Sequence, residues 1–277
     1  MTRATSRAAT YNSADRALIT GACSGIGREI ATLLASRGHE LVLVSQRPVE
    51  LQATADVLTA EYGVRTHAIP LDLATTDAAG RLVAVLDERG LDIDIAILNA
   101  GLFFFGEVAD VDPARAAAML ELHVVTPSLL AHHLGARMRT RRHGHILFMS
   151  SISAWGDFPG IAFYGSSKRY LRSFAATLRS ELGVWGVNVT LVAPGATATP
   201  LFHGTPLEPG GAGRSSLADR FMGDPAFVAR EAVEAMFARK AEVIPGLHWR
   251  VMAGLASVTP TWLIDRLRQH APWLSRP

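Results

Sequence analysis

Tyr164 and Lys168 lie four residues apart in the segment Tyr-Gly-Ser-Ser-Lys, and Ser151 lies thirteen residues before Tyr164. In a helix, residues four apart share one face, with about 5–6 Å between their Cβ atoms. An ammonium beside a phenol favours the phenolate and lowers the phenol pKa. Tyr164 is therefore a candidate proton donor or acceptor whose pKa Lys168 lowers, and Ser151 is a candidate hydrogen-bond donor to a reacting carbonyl oxygen. The Tyr–Lys spacing also occurs by chance on solvated helices, so its interpretation depends on the rest of the sequence.

A glycine-rich turn near the start of the chain is the second informative feature. The apolar run Arg16 to Thr20 is suited to a buried strand, and an amphipathic stretch with helical periodicity leads from Ile26 to Gly38. Backbone N–H groups at a helix start attract phosphate, and glycine lets a pyrophosphate approach closely. The spacing, Gly-x3-Gly-x-Gly, differs from the common dinucleotide fingerprint but still predicts such a site; the alternative is a plain glycine turn. The residues assigned to the site are Gly21, Ser24, Gly25, Ile26 and Gly27.

Four further motifs follow this turn in order. They are Asp72-Leu73, Asn99-Ala100-Gly101, the apolar run Ile146 to Ser151, and Pro194-Gly195 with Thr199 four residues later. Together with Tyr164 and Lys168, the ordered set resembles the short-chain dehydrogenase/reductase superfamily over about residues 16–200. The resemblance implies a Ser151–Tyr164–Lys168 active site in which Lys168 also contacts the nicotinamide ribose.

The same resemblance assigns roles to the other motifs. In the family, the Asp-Leu pair contacts adenine, the Asn-Ala-Gly element stabilises the central sheet beside the cofactor, and the Pro-Gly-x-x-x-Thr element surrounds the nicotinamide. Beyond the glycine turn, the implied cofactor-binding residues are therefore Asp72, Leu73, Asn99, Ala100, Gly101, Tyr164, Lys168, Pro194, Gly195 and Thr199.

The end of the predicted second strand indicates which dinucleotide is bound. NAD enzymes of this type generally place an acidic residue there to bind the ribose hydroxyls. Here the sequence reads Ser45-Gln46-Arg47, so Arg47 can pair with a 2′-phosphate and Ser45 can donate a hydrogen bond. We therefore expect NADP(H) to be preferred over NAD(H). The alternative is that Arg47 is a solvated loop residue and that either cofactor is accepted.

His123 marks a departure from the family pattern. By resemblance it occupies the position of an asparagine that supports a proton-relay water near the lysine, largely through its backbone carbonyl. His123 can preserve that support, add a group that titrates near pH 7, or serve a purely structural purpose. It is included among the candidate catalytic residues.

Apolar runs alternate with amphipathic stretches along the chain, which predicts a parallel sheet with right-handed crossovers. The expected fold class is α/β, a Rossmann-type doubly wound parallel sheet in a single domain with a C-terminal helical extension. Such sheets bind ligands at the carboxyl ends of their strands, where the motifs fall. The expected divisions are a flexible tail at 1–15, the main domain at 16–247 with a substrate lid at about 200–223, and the extension at 248–277, packed on the same domain.

Particular boundaries follow from turn and cap residues. A helix is predicted from Val49 to Tyr62, closed by Gly63, and another begins at Asp112-Pro113, with Asp as N-cap and Pro at the first helical position. A third strand is predicted from Val64 to Leu71, and a late helix from Pro225 to Ala241.

Composition excludes several classes of protein. The 277 residues are enough for a large core, and 27 basic against 25 acidic residues give a net charge of +2, which does not indicate a nucleic-acid partner. The single cysteine, Cys23, cannot form an internal disulfide, so we expect a reducing, cytoplasmic location. No apolar run is long enough to predict a membrane-spanning helix, and the histidine pairs lack metal-ligand spacing.

These observations predict an oxidoreductase that interconverts a carbonyl and a secondary alcohol with NADP(H). Aromatic residues near the motifs favour a hydrophobic small-molecule substrate; they are Trp155, Phe158, Phe163 and Phe202. The run Phe103 to Phe105 is assigned either to a substrate entrance, to a subunit contact or to the core. The alternatives for the whole chain are an epimerase or lyase on the same fold and a non-catalytic NADP(H)-sensing protein. A homo-oligomer is expected, with a dimer favoured.

Overall fold

The computed structural model describes residues 15–205 and 222–260, together with Trp262, Leu263 and Arg266. Within these residues, seven parallel strands form one sheet in the order β3-β2-β1-β4-β5-β6-β7. The strands are β1 (Arg16–Thr20), β2 (Glu40–Ser45), β3 (Thr66–Pro70), β4 (Ile95–Leu98), β5 (Gly144–Met149), β6 (Val187–Val192) and β7 (Glu242–Val243). The strand order reverses between β1 and β4, which opens a crevice at their carboxyl ends.

The helices cover both faces of the sheet. They are α1 (Gly25–Ala35), α2 (Pro48–Tyr62), α3 (Ala78–Glu88), α4 (Pro113–Leu120), α5 (Thr126–Arg141), α6 (Ala162–Gly183), α7 (Pro225–Phe237) and α8 (Leu247–Val258). Buried side chains of α3, α5 and α6 pack on one face, and those of α1, α2 and α7 pack on the other. The predicted Rossmann-type doubly wound α/β fold is therefore confirmed.

The strand sequences suit a sheet that is buried on both faces. In β1, Leu18 belongs to the hydrophobic core on one face, whereas its neighbours Ala17 and Ile19 belong to the core on the other. Successive strand side chains point to opposite faces, so a strand covered on both sides must be apolar at every position. This requirement explains why the central strands read as continuous apolar runs without alternating polar residues.

Helix and strand boundaries follow local chemistry in most places. Gly63 ends α2 in the left-handed conformation at φ +67°, and the Asp112 carboxylate accepts a hydrogen bond from the Ala114 N–H at the start of α4. The late helix α7 ends at Phe237 and does not continue to Ala241.

The early end of α7 has a local cause. Arg239 adopts φ +55°, which turns the chain into β7. β7 was not predicted, because its two residues carry no periodic pattern. The predicted third strand is also shorter than expected and begins at Thr66.

The predicted divisions at the chain ends and at the lid are described only in part. Most of the tail at 1–15 and most of the lid lie outside the described residues, as does most of the extension beyond α8. Among the helices that are described, none combines the length and hydrophobicity needed to cross a membrane.

Candidate active site

A cavity of about 960 Å³ opens at the carboxyl ends of the central strands. Seventeen of the nineteen residues predicted to bind cofactor or to catalyse line it: Gly21, Ser24, Gly25, Ile26, Ser45, Arg47, Asp72, Leu73, Asn99, Ala100, Gly101, Ser151, Tyr164, Lys168, Pro194, Gly195 and Thr199. The remaining two, Gly27 and His123, lie behind its wall. The sheet thus brings together residues that are far apart in sequence.

The glycine turn is shaped by close packing against the neighbouring strand. Gly21 and Gly25 have φ of +69° and +53°, a conformation that disfavours other residues. A Cβ on Gly27 would clash with the Gly21 carbonyl oxygen and the Asn99 side chain. Gly27 therefore supports the turn from behind, and Gly21 and Gly25 leave backbone exposed to the cavity, as an approaching diphosphate requires.

The Thr20 hydroxyl joins the ends of β1 and β4. It accepts hydrogen bonds from the Asn99 N–H at 2.9 Å and the Ala100 N–H at 3.0 Å, and it donates to the Ile97 carbonyl at 3.3 Å. The Asn99 side-chain amide donates to the Thr20 carbonyl at 3.0 Å. The Asn-Ala-Gly element thus holds the crevice together, consistent with the supporting part that the family resemblance assigns to it.

Ser151, Tyr164 and Lys168 meet at the floor of the cavity. Ser151 follows β5, whereas Tyr164 and Lys168 lie one turn apart on α6. The Ser151 side chain lies close enough to the Tyr164 hydroxyl to lower the pKa of that phenol. The Lys168 ammonium donates to the Met149 carbonyl at 3.1 Å, and its nitrogen lies 5.5 Å from the Tyr164 ring centroid.

Burial dominates the protonation of these groups. It raises the pKa of Tyr164 to about 12, although the nearby Ser151 side chain opposes that shift. Burial also lowers the pKa of Lys168 to about 7, because the charged amine loses solvation. The expectation that Lys168 lowers the pKa of Tyr164 is therefore not met: the phenol is protonated at neutral pH, and the amine changes charge there.

His123 lies in a single π-helical turn, Glu121–Val125, between α4 and α5, and its side chain is 1% exposed. Its Nε2 accepts a hydrogen bond from the Leu102 N–H at 3.0 Å, so in the neutral ring Nδ1 carries the proton. That Nδ1–H donates to the Ser167 hydroxyl at 3.0 Å, and this hydroxyl donates to the Tyr164 carbonyl at 2.7 Å. His123 thus links the loop after β4 to the catalytic helix.

The same surroundings decide the charge of His123. Burial, together with the charge of Lys168, holds the pKa of His123 well below its usual value. Its hydrogen bond from Leu102 also requires an unprotonated Nε2. The hypothesis that His123 titrates near pH 7 is therefore wrong. The hydrogen bonds of the neutral ring are those of a residue that positions its neighbours.

At the opposite end of the cavity, Arg47 reaches back to the glycine turn. Its guanidinium donates to the Ser24 hydroxyl at 2.9 Å, and its backbone N–H donates to the Ser45 hydroxyl at 3.3 Å. Glu50 lies 4.0 Å from the guanidinium, and both side chains are largely exposed. The bridge between Arg47 and Ser24 was not predicted, because 23 residues separate them in sequence.

The remaining wall of the cavity is apolar. Phe103 packs edge-on against Tyr164 at 4.9 Å and against Phe202 at 5.2 Å between ring centroids. Phe105 and Phe158 also line the cavity, whereas Phe104 is core. The run Phe103 to Phe105 is thus divided between two of the predicted assignments, with its first and third residues at the cavity and its second in the core.

Two aromatic side chains that were predicted near the substrate do not reach the cavity wall. The Trp155 ring is covered by the Arg172 guanidinium at 4.1 Å, and Phe163 packs against Phe104 at 6.4 Å between centroids. Trp249, from α8, does line the cavity and was not predicted. No local pattern brings a residue so far along the chain to this site.

No group of three or more potential metal ligands occurs in the part of the chain that the structure describes. Buried His145, near neither the cavity nor a second ligand set, packs against Phe237 at 5.4 Å between centroids.

Comparisons with known proteins agree with this geometry. The family model for short chain dehydrogenases matches residues 15–208, more than half of the chain. The uncharacterized oxidoreductase YmfI of Bacillus subtilis is 35% identical over 190 residues, which cover 68% of this chain and 76% of that protein. The 7beta-hydroxysteroid dehydrogenase of Clostridium sardiniense is 31% identical over 185 residues, covering 66% of this chain and 69% of that enzyme.

A solved structure shows the same architecture. A short-chain dehydrogenase from Sphingobium yanoikuyae in complex with NADPH matches with a TM-score of 0.76 at 28% identity, covering 87% of this chain and 93% of that one. The chain therefore belongs to the short-chain dehydrogenase/reductase superfamily, as an NAD(P)-dependent oxidoreductase that acts on CH–OH groups.

Proposed function

We propose that the protein interconverts a bulky, apolar ketone and its secondary alcohol with NADP(H), through Ser151, Tyr164 and Lys168. The single observation that carries the proposal is that Ser151, Tyr164 and Lys168 line the floor of one cavity, with Tyr164 and Lys168 one helical turn apart on α6. The glycine turn and the Asn-Ala-Gly element lie at the same cavity and fit a dinucleotide.

In the reductive direction, the hydride for the carbonyl carbon would come from NADPH held by the glycine turn and the Asn-Ala-Gly element. The Tyr164 hydroxyl then gives its proton to the developing alkoxide, and its high pKa ensures that a proton is present at neutral pH. The Ser151 hydroxyl orients the substrate oxygen toward Tyr164. Lys168, when protonated, stabilises the phenolate left behind and favours its formation as the reaction proceeds.

The proposed preference for NADP(H) rests on charge at the end of β2. Arg47 contacts Ser45 and, through its guanidinium, Ser24 at the glycine turn, and this positive charge at the end of β2 supports binding of a 2′-phosphate there. The related Sphingobium enzyme binds NADPH, which supports the same preference. We expect Arg47→Ala to raise KM for NADPH about tenfold and to change KM for NADH less than twofold, because only the phosphate ester loses a charged partner.

The proposed substrate class rests on the apolar wall. Phe103, Phe105, Phe158 and Phe202 surround the space above Tyr164, and Lys168 is the only charged side chain at the reacting end among the described lining residues. An anionic substrate would find no cation there besides Lys168, whose amine already donates to the Met149 carbonyl. The similarity to a hydroxysteroid dehydrogenase also favours a large apolar substrate.

The test is an NADPH-oxidation screen against aryl, bicyclic and steroid ketones, repeated with the alcohols and NADP⁺. Wild-type protein should oxidise NADPH with at least one apolar ketone, and Tyr164→Phe should bind NADPH without turnover. Tight NADPH binding without turnover on any carbonyl would contradict the proposal and favour a sensing protein. Product formation without net NADPH oxidation would favour an epimerase or lyase.

The oligomeric state is part of the same proposal. We infer a homo-oligomer, with a dimer favoured, and light scattering coupled to gel filtration tests it directly.

A further inference from the structure

The apolar wall of the cavity includes one residue from far outside the motif-bearing region. Trp249 lies in the first turn of α8, and its six-membered ring rests on Gly195 so closely that a Cβ at that position would overlap ring atoms Cδ2, Cε2 and Cε3. Because the Trp249 ring occupies this space, no residue with a Cβ fits at position 195. The pair joins the C-terminal extension to the segment that follows β6.

The contact lies close to the reacting groups. Gly195 follows Pro194, whose carbonyl accepts a hydrogen bond from the Ile152 N–H at 3.0 Å, and Ile152 is the residue after Ser151. Trp249 and Ser151 thus line the same cavity, joined through one short stretch of backbone. By contrast, the glycine turn and Arg47 lie along the carboxyl ends of β1 and β2, on the other side of β4 and β5 in the sheet.

The helix that carries Trp249 is firmly anchored. The neighbouring Arg250 donates to the Ile244 carbonyl at 2.8 Å and lies 3.6 Å from the Glu231 carboxylate on α7. One turn later, Ala253 is 1% exposed. Further along, Ala256 comes within contact distance of Gly156, in the segment after Ser151. The ring is therefore a fixed wall.

We propose that Trp249 is a specificity-determining residue that closes the substrate end of the cavity and limits the bulk of the ketone accepted there. The inference rests on the proposed function, and it names the side chain that selects among apolar ketones. Shortening this side chain opens space beside Gly195, whose neighbour Pro194 is hydrogen-bonded to the residue after Ser151. The variant should therefore gain relative activity on substrates with more rings, while small substrates lose contact with the indole.

The experiment compares wild type, Trp249→Ala and Trp249→Phe on acetophenone, benzophenone and a steroid ketone, with NADPH as reductant. Trp262→Ala is the matched control, because Trp262 is another tryptophan of the C-terminal segment and is 63% exposed. For Trp249→Ala, the ratio of kcat/KM for the steroid ketone to kcat/KM for acetophenone should rise about tenfold or more. Trp249→Phe should give an intermediate ratio, and Trp262→Ala should leave it within about twofold.

Binding of NADPH is measured for each variant by fluorescence titration and should stay unchanged. An unchanged kcat/KM ratio in folded Trp249→Ala and Trp249→Phe would overturn the inference while leaving the proposed reaction intact. Weakened NADPH binding in both variants, with the ratio unchanged, would also overturn it. If Trp249→Ala does not fold, Trp249→Phe decides alone.

Failure of the proposed reaction has a different signature. In that case wild type turns over none of the ketones, and the contact between Trp249 and a bound ketone is tested by a binding measurement instead. Benzophenone binding to the protein loaded with NADP⁺ should quench tryptophan fluorescence in wild type and in Trp262→Phe but not in Trp249→Phe. Equal quenching in all three would refute the assignment of Trp249.

Discussion

The floor and the wall of the cavity are built in different ways. The floor consists of Ser151, which follows β5, and of Tyr164 and Lys168 on α6, with His123 packed behind them. Hydrogen bonds run from Leu102 through His123 and Ser167 to the Tyr164 carbonyl, and from Lys168 to the Met149 carbonyl. The wall consists of aromatic side chains from several distant segments, held by packing. Hydrogen bonds fix distances and directions, whereas packing fixes only volume. We therefore expect changes in the floor to alter reaction rate and changes in the wall to alter substrate choice.

The strongest test of this distinction is Tyr164→Phe. Loss of the proton donor should reduce kcat about 10³-fold, within the range typical of general acids, while the ring still packs against Phe103. NADPH affinity, measured by fluorescence titration, should change little. Retention of substantial turnover would place the proton donor elsewhere and remove the chemical meaning of the floor.

Lys168→Met tests the charge beneath the phenol. We expect kcat to fall about 10²-fold, because no ammonium then stabilises the phenolate. The variant also changes the pH dependence of stability. The pKa of Lys168 is lowered from 10.5 to about 7 in the folded state, so the unfolded chain binds more protons between those values.

From that difference, this lysine makes the free energy of unfolding rise as the pH increases from about 7 toward 10. Lys168→Met should flatten that rise, as measured by urea unfolding at several pH values with Lys240→Met as a surface control. Parallel profiles for wild type and Lys168→Met would show that burial does not perturb the amine.

His123 distinguishes positioning from proton transfer. His123→Leu leaves the partly buried Leu102 N–H without its acceptor and should lower the free energy of unfolding by about 1 kcal/mol. We expect kcat to fall about tenfold, with the shape of the pH–rate profile above pH 6 unchanged, because the neutral ring does not titrate there.

His123→Asn is the conservative partner, since its side chain also offers an acceptor and a donor. It should recover part of both losses. A new ionisation in the wild-type profile that disappears in both variants would assign the proton relay to the imidazole.

The smallest expected effect belongs to the wall. Phe103→Leu removes the ring that meets Tyr164 and Phe202 edge-on, which should cost about 1 kcal/mol of stability. We expect kcat with a small ketone to change less than about threefold and KM for bulky ketones to change more. Thermal unfolding and steady-state kinetics check both outcomes. A loss of kcat as large as that of Lys168→Met would erase the separation between floor and wall.

Sequence reasoning located the floor because its signals are local. The four-residue spacing of Tyr164 and Lys168 becomes geometry as soon as a helix forms, and the glycine turn needs only β1 and α1 around it. The parallel, doubly wound sheet followed equally well from the alternation of strands and helices. These features depend on neighbours in sequence, so their patterns survive without knowledge of the tertiary structure.

The features that were missed depend on distant contacts or on burial. Trp249 meets Gly195 across 54 residues, and Arg47 meets Ser24 across 23, so neither pair has a sequence signature. The direction of the Tyr164 pKa was also wrong, because desolvation by burial outweighs the lowering by Ser151 in this cavity. Likewise, the hydrogen-bonding state of His123 follows from two partners that its helical position does not reveal.

The hydrogen bonds of the Thr20 hydroxyl, which join β1 to β4, limit how the molecule can admit a ligand. One oxygen engages three backbone groups there, at the point where the two halves of the sheet diverge. Separating β1 from β4 would leave these three backbone groups without their hydrogen-bond partner. A ligand must therefore enter and leave over the rim of the crevice, along the strand direction, while β1 and β4 stay joined.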